Sequence, residues 1–234
     1  MHASAQGAPL TECVPLTVLT MDGRGITLDH DRLGRLPLPL LGRFQAANAA
    51  VALGIIEALA LADVAEVSDD AIRDGLARTR WPGRLELLDL PGTTVLLDGA
   101  HNPDGMAGLA ATVDELTPSL PPGRATLLLG VMRDKEVEDM LTSLARSRVL
   151  HEARCFATVV PDTERALPAD ELAAQWLAVT GKEAGPVPDV EVALERALAS
   201  AEAEDGPLVA AGSLYLVGHL RATLVPGVED DSRA

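Results

Sequence analysis

Aromatic residues are almost missing from this chain. Two Phe, two Trp and one Tyr make up 2% of its 234 residues, so any core must be aliphatic, built from Leu, Val, Ile and Ala. Hydrophobic residues still reach 47%, enough apolar surface for a sizeable core. Cysteine is scarce as well. Cys13 and Cys155 form neither a CxxC pair nor a disulfide framework, which fits a reducing, cytoplasmic setting. Cations are outnumbered, 19 Lys and Arg against 35 Asp and Glu, for a net charge of -16. That field repels nucleic-acid phosphates and anionic membranes, so neither is expected as a partner. An anionic substrate would need a local site that overrides the global field. The longest apolar stretch, Ala46 to Ala62, is alanine-rich and interrupted by Asn48 and Glu57. It reads as a buried helix, since a membrane span needs about 20 strongly apolar residues. No basic segment followed by an apolar stretch opens the chain, so no secretory signal is expected.

Two phosphate-binding signatures are lacking. Gly99 and Gly105 have five residues between them with no Lys-Ser or Lys-Thr following, so the segment is not a P-loop. Gly23-Arg24-Gly25 lacks a third glycine and sits in a predicted hairpin, which argues against a nicotinamide fingerprint. His2, His30, His151 and His219 show no metal-ligand spacing, and no metal ligand is expected in this chain.

Residues 1–12 are small and polar and are expected to be disordered, as is the tail 227–234. Val14 to Thr20 reads as a strand, followed by a turn at Asp22-Gly23 and a second strand near Ile26 to Leu28. Leu36-Pro37-Leu38-Pro39 is extended because proline excludes helix. Helices are predicted from Gln45 to Leu61 and from Asp69 to Arg78, the second capped by Ser68 or Asp69. Trp81-Pro82-Gly83 breaks the chain and marks a domain boundary, giving domains at 1–80 and 81–226. After it, strands at Leu85–Leu88, Thr94–Asp98, Ala125–Gly130, Cys155–Val159, Pro186–Val190 and Pro207–Ala211 alternate with helices near 103–116, 136–147, 168–180, 191–204 and 214–224. This alternation predicts an α/β domain with a mostly parallel sheet, whose ligands sit beyond the carboxyl ends of the strands.

The segments just after the strands carry the candidate chemistry. Asp98-Gly99-Ala100-His101-Asn102-Pro103 joins an apolar strand to a helix, with Asn102 as N-cap and Pro103 as first helical residue. Helix amides there favour an anion. An aspartate at a strand end suits a ribose hydroxyl, and His101 could hold a carboxylate or relay a proton. The segment reads equally well as a turn in which Asp98 and His101 only bond each other. Arg84 could clamp a nucleotide or make an ordinary surface ion pair. Asn48 reads as a buried amide needing partners, either a neighbouring loop or an adenine edge. Lys135 could reach an anion, and Asp134 could cap the next helix. Ser213 is a natural N-cap whose hydroxyl could also touch a ligand.

In order along the chain, these segments resemble the folylpolyglutamate synthase and dihydrofolate synthase family of the Mur ligase superfamily. Leu41-Gly42-Arg43-Phe44-Gln45 with Asn48-Ala49-Ala50 resembles the end of that family's central ATPase domain. Trp81-Pro82-Gly83-Arg84 resembles the entry to its C-terminal domain, and Asp98 to Pro103, Asp134-Lys135 and Gly212-Ser213-Leu214-Tyr215 resemble further motifs. The resemblance runs from about Leu38 to about Leu220. It implies a Rossmann-like C-terminal Mur-ligase domain preceded by a remnant of the central ATPase domain. It also implies ATP and Mg2+, an acyl phosphate, and glutamate joined to a folate or pteroate carboxylate. Carried over by position, Asn48, Arg84 and Asp98 match ATP contacts, and His101 and Ser213 match the glutamate site.

Phe44 departs from the family's usual histidine. The chain also lacks the Gly-rich loop ending in Gly-Lys-Ser, and the metal ligands expected with it. Phosphoryl transfer depends on such groups, so no catalytic residue is assigned here and the chain alone is expected to be inactive. It is expected to be a fragment, with an upstream start, a broken gene or a separate N-terminal half as the open explanations. The alternative is a non-catalytic module that binds a nucleotide or a protein. A Rossmann-like oxidoreductase is disfavoured by the absent fingerprint.

Overall fold

The computed structural model describes residues 10–226. The terminal segments expected to be disordered thus fall largely outside it, at 1–9 and 227–234. The chain divides into two compact units between Arg80 and Trp81.

In the first unit, Thr17–Asp22 (β1), Gly25–His30 (β2) and Gly34–Leu38 (β3) form an antiparallel sheet in the order β1-β2-β3. The first strand starts three residues later than its sequence suggests, and Val14 is exposed. The hairpin closes with Asp22 opposite Gly25, and Asp22 accepts the Arg24 amide at 2.8 Å. The extended Leu-Pro-Leu-Pro segment supplies the third strand. Pro37 is tolerated because β3 is an edge strand with no second neighbour to donate to.

Gln45–Leu61 (α1) and Asp69–Arg78 (α2) pack on this sheet through Ile26, Leu28, Leu36, Leu38, Ala46, Ala49, Leu53 and Ile72. The α1 sequence is apolar on nearly every side, yet it buries only Gln45, Ala46, Ala49, Ala50 and Leu53. Val51, Ile55 and Leu59, four residues apart, form an exposed apolar stripe. The second helix is capped by Ser68, which accepts the Ala71 amide at 3.2 Å.

The second unit is a six-stranded sheet in the order β4-β5-β9-β6-β7-β8. Its strands are Glu86–Leu90 (β4), Thr93–Asp98 (β5), Thr126–Leu129 (β6), Arg154–Ala157 (β7), Ala184–Pro186 (β8) and Leu208–Ala211 (β9). Only β4 runs antiparallel. The helices are Pro103–Leu116 (α3), Val137–Leu144 (α4), Arg148–His151 (α5), Ala169–Thr180 (α6), Val190–Ala203 (α7) and Leu214–Leu224 (α8).

Alternation along the strands sorts the core. Val95, Leu97, Leu128, Leu208 and Ala210 pack with Ala193, Leu194 and Ala197 of α7 and with Leu216, Val217 and Leu220 of α8. Their neighbours Leu96, Leu127, Leu129 and Val209 are equally buried and, by the two-residue period, point to the other face. There α3 packs on α4, and α4 on α6. Burying each Leu stabilises by about 1.5–3 kcal/mol, which is how a chain so poor in aromatics fills its core.

Two elements differ from their sequence reading. The predicted strand at 186–190 is β8 at 184–186, and Val190 instead opens α7. Asp189 caps that helix, accepting the Val192 amide at 3.0 Å; this local cap overrides the strand preference of the valines. The predicted helix near 136–147 is α4, which stops at Leu144, and a separate short helix, α5, follows. Asp114 of α3 accepts the Ser147 hydroxyl at 2.6 Å and the Arg148 and Val149 amides at 3.1 and 3.2 Å. Those bonds hold Ser147 extended as the cap of α5.

The exposed stripe on α1 leaves the first unit with less buried surface per residue than the sheet of the second. Amide hydrogen exchange is expected to be slowest in β5, β6 and β9 and clearly faster across α1 and α2. Equal protection in both units would contradict this packing account.

Candidate functional site

Asp98, Ala211, Leu129 and Ala157 stand in register across β5, β9, β6 and β7 and end the four strands at one level. The next residues are Gly99, Gly212, Gly130 and Thr158. Here the chain reverses its path: β9 inserts between β5 and β6, with α3 leaving on one face and α8 on the other. Such a switch point is where open α/β sheets form a crevice.

The backbone is tightly fitted at this edge. Gly212 has φ of 116°, and a Cβ there would lie 2.4 Å from the Gly130 carbonyl oxygen. Only glycine serves at that position. A Cβ on Gly99 would lie 2.2 Å from Leu214 Cδ2, so the loop after β5 presses directly against the first turn of α8.

Asp98 organises the loop. It is 4% exposed. One oxygen accepts the Ala100 amide and the other the Leu85 amide, both at 2.8 Å. Leu85 has φ of 47°, a left-handed conformation that is costly without support. The Gly99 amide also donates to the Gly83 carbonyl at 2.9 Å. The turn at 81–86 is thereby fastened to the end of β5, and Arg84 with it. Behind the turn, Glu86 accepts the Gly83 amide at 2.7 Å and Arg221 Nε at 2.8 Å. The half-buried Arg84 places its guanidinium 5.7 Å from the centroid of the exposed Trp81 ring, within cation–π range.

Asp98 and His101 do not bond each other, so the simple-turn reading of this segment is corrected. His101 Nδ1 donates to the Gly99 carbonyl at 2.7 Å, and the Asp98 oxygens are taken by backbone amides. Burial pushes the Asp98 carboxyl above its usual value. The two amide bonds and the nearby charges of Arg84 and His101 pull the other way without reversing the shift. Each carboxylate oxygen retains a lone pair, so a ribose hydroxyl could add to these bonds but not replace them.

Asn102 caps α3, accepting the Gly105 amide at 2.7 Å, with Pro103 in the first turn. Ser213, 2% exposed, caps α8 by accepting the Tyr215 amide at 3.2 Å. Two helix amino ends thus open at the same sheet edge.

The structure brings Arg84, Asp98, His101 and Ser213 into the second unit's crevice region. Asn48 belongs to the first unit. It is exposed rather than buried, which corrects the sequence reading. The core-facing side of α1 repeats as 45, 46, 49, 50 and 53, and Asn48 falls off it. The buried amide is Gln45, 1% exposed. Its Oε1 accepts Asn48 Nδ2 at 2.8 Å, while its Nε2 has no partner among the described residues. The Leu85 conformation and the Trp81–Arg84 contact went unrecognised in the sequence, where the Trp-Pro-Gly-Arg string was their only trace; Gly212 was read as part of a motif and not as a backbone requirement. Lys135 follows β6 and makes no ion pair among the described residues, and Asp134 pairs with Arg165 at 3.2 Å instead of capping α4.

Among the described residues no group of three His, Cys, Asp or Glu could hold a metal ion. No helix there is long and apolar enough to cross a membrane. A groove of about 790 Å³ lies elsewhere, lined by Glu138, Thr142, Arg146, His151 and Gln175. Its size does not make it the site, because it has neither strand ends nor helix amino ends converging on it.

The fold and this edge define a doubly wound, Rossmann-like domain of ligase type. The profile of the Mur ligase glutamate ligase domain matches residues 83–213, and the chain belongs to this family. The folylpolyglutamate synthase of Lacticaseibacillus casei is 34% identical over 207 residues, covering 85% of this chain and 43% of that protein. The dihydrofolate synthase/folylpolyglutamate synthase of Escherichia coli K12 is 33% identical over 191 residues, 82% of this chain and 40% of that protein. In structure, Mycobacterium tuberculosis folylpolyglutamate synthase complexed with ADP and AMPPCP superposes with a TM-score of 0.77 and 25% identity. That superposition covers 95% of this chain and 51% of that one. The chain therefore spans about half the length of these relatives.

The raised value of Asp98 has a consequence for stability. A carboxyl that holds its proton more tightly when folded favours the fold most below the ordinary value of 3.8. Its contribution then falls as pH rises through the folded value. The stability gap between the wild type and Asp98→Asn is thus expected to narrow as pH rises from about 4 and to be flat near neutrality, in urea titrations. A gap that widens with pH would show that the amide bonds outweigh burial.

Proposed function

We propose that this chain forms the nucleotide- and glutamate-binding part of an ATP-dependent amide ligase of folate metabolism. In this reading glutamate is joined to a folate or pteroate carboxylate through an acyl phosphate. The observation that carries it is the convergence of Arg84, Asp98, His101 and Ser213 with two helix amino ends at one sheet switch point, in a chain of this family. Arg84 and the two helix amino ends are the local groups at this edge that can attract an anion in a protein of net charge -16.

The residues fit a nucleotide. Arg84, stacked on Trp81 and held by the Asp98-bonded turn, faces a phosphate or ribose; the amino ends of α3 and α8 supply amides. Asp98 fixes the turn and offers its remaining lone pairs to the ribose. Ser213 and His101 serve the glutamate. When bound, ATP with Mg2+ supplies the phosphoryl group that activates the carboxylate. The first unit is read as the end of the central ATPase domain.

Isothermal titration with a non-hydrolysable ATP analogue tests this. Arg84→Ala is expected to weaken binding about tenfold or more, the loss of one charge-assisted contact. Unchanged affinity would remove Arg84 from the site. The 234 residues contain no Gly-Lys-Ser or Gly-Lys-Thr loop. With ATP, magnesium, reduced folate and glutamate, the chain alone is expected to release no phosphate above background; clear turnover would contradict that.

A second reading, a non-catalytic protein-binding module, is favoured by one observation, the exposed Val51, Ile55 and Leu59 stripe on α1. Nucleotide-independent association abolished by Ile55→Glu would support it.

A further inference from the structure

The histidine of the strand-end loop is held in a way that fixes its chemistry. His101 Nδ1 lies 2.7 Å from the Gly99 carbonyl oxygen. A carbonyl can only accept, so Nδ1 carries the proton. In the neutral ring this leaves the lone pair on Nε2. No group among the described residues bonds Nε2. The ring is only half-buried, so Nε2 is open to a ligand.

The anchor is rigid. Gly99 is buried, its amide is tied to Gly83 and its α-carbon is pressed by Leu214. The ring therefore cannot turn to offer Nδ1 to a ligand without abandoning the Gly99 carbonyl. Asp98 lies close enough to feel the charge of His101.

A neutral nitrogen with a lone pair is a poor partner for a carboxylate and a good one for an ammonium group. We propose that His101 receives the amino group of the amino-acid substrate through Nε2 and takes its proton, a role that rests on the ligase reading above. An ammonium N–H donates to Nε2 and its proton moves there, leaving the amine lone pair free. That pair attacks the acyl-phosphate carbon and the C–N bond forms. The bond from that carbon to the bridging oxygen breaks, its electrons leave with inorganic phosphate, and the second amine proton passes to solvent. The Asp98 carboxylate stabilises the resulting imidazolium. Carboxylate recognition then falls to other groups, with the Ser213 hydroxyl and the α8 amides beside it.

The test is a long-range proton–nitrogen NMR spectrum of the full 234-residue chain, labelled with 15N-histidine and saturated with a non-hydrolysable ATP analogue. It is recorded at about pH 8, where an unperturbed imidazole is neutral. His101→Gln identifies the resonances. The expected result is an unprotonated Nε2 that shifts on adding L-glutamate and does not shift with glutarate, which keeps both carboxylates but has no amine. His101→Leu should weaken L-glutamate binding about tenfold, and His101→Gln, which restores an acceptor, should recover part of it. Unchanged nucleotide affinity in both variants shows that they fold. A protonated Nε2, an equal response to glutarate, or no response to L-glutamate in the nucleotide-bound chain would overturn the proposal and leave the nucleotide site standing. Failure to bind nucleotide at all would overturn the ligase reading, and this inference with it.

Discussion

The buried carboxylate of Asp98 is the constraint on which the strand-end edge depends. It ends β5 and spends both oxygens on backbone amides, one from its own loop and one from the turn that enters the domain. That second bond supports the left-handed Leu85 and so decides where Arg84 points. The first shapes the loop from which His101 reaches back to Gly99. Burial works against the charge, and the two amides and the Arg84 guanidinium offset part of that cost. A carboxylate retained at such expense is a structural fastener as well as a candidate ligand.

Much of the fold was legible because the strands and helices of residues 84–224 alternate so regularly. The Val95-Leu96-Leu97 run, the Asn102-Pro103 start and the Ser213 start are strong local signals, and each is where its residues imply. Harder to read were features set by contacts distant in sequence. Asp114, more than 30 residues away, holds Ser147 extended as the cap of α5. The extended reading of Leu36-Pro37-Leu38-Pro39 is met by β3, whose edge position accepts Pro37. Asn48 illustrates the limit for side chains. In an apolar helix every polar residue looks buried, and only the packing reveals that Gln45 is inside and Asn48 outside.

The site was readable as a set of loops but not as an arrangement. Composition indicated only that an anionic substrate would need a local site to override the acidic field, and the motif order pointed to the family. Neither could indicate that Asp98 bonds the chain entering the domain, that Trp81 stacks on Arg84, or that His101 is anchored through Nδ1. The insertion of β9 between β5 and β6 draws the loops after β5 and β9 together. The same insertion makes Gly212 necessary, since its backbone lies against Gly130.

A crystal structure of the chain soaked with a non-hydrolysable ATP analogue tests the central claim most directly. The account predicts nucleotide density beyond the carboxyl ends of β5 and β9, with a phosphate or ribose against Arg84 and the amino end of α3. Density in the groove lined by Glu138, Arg146 and Gln175 instead, with the strand-end edge unchanged, would contradict it.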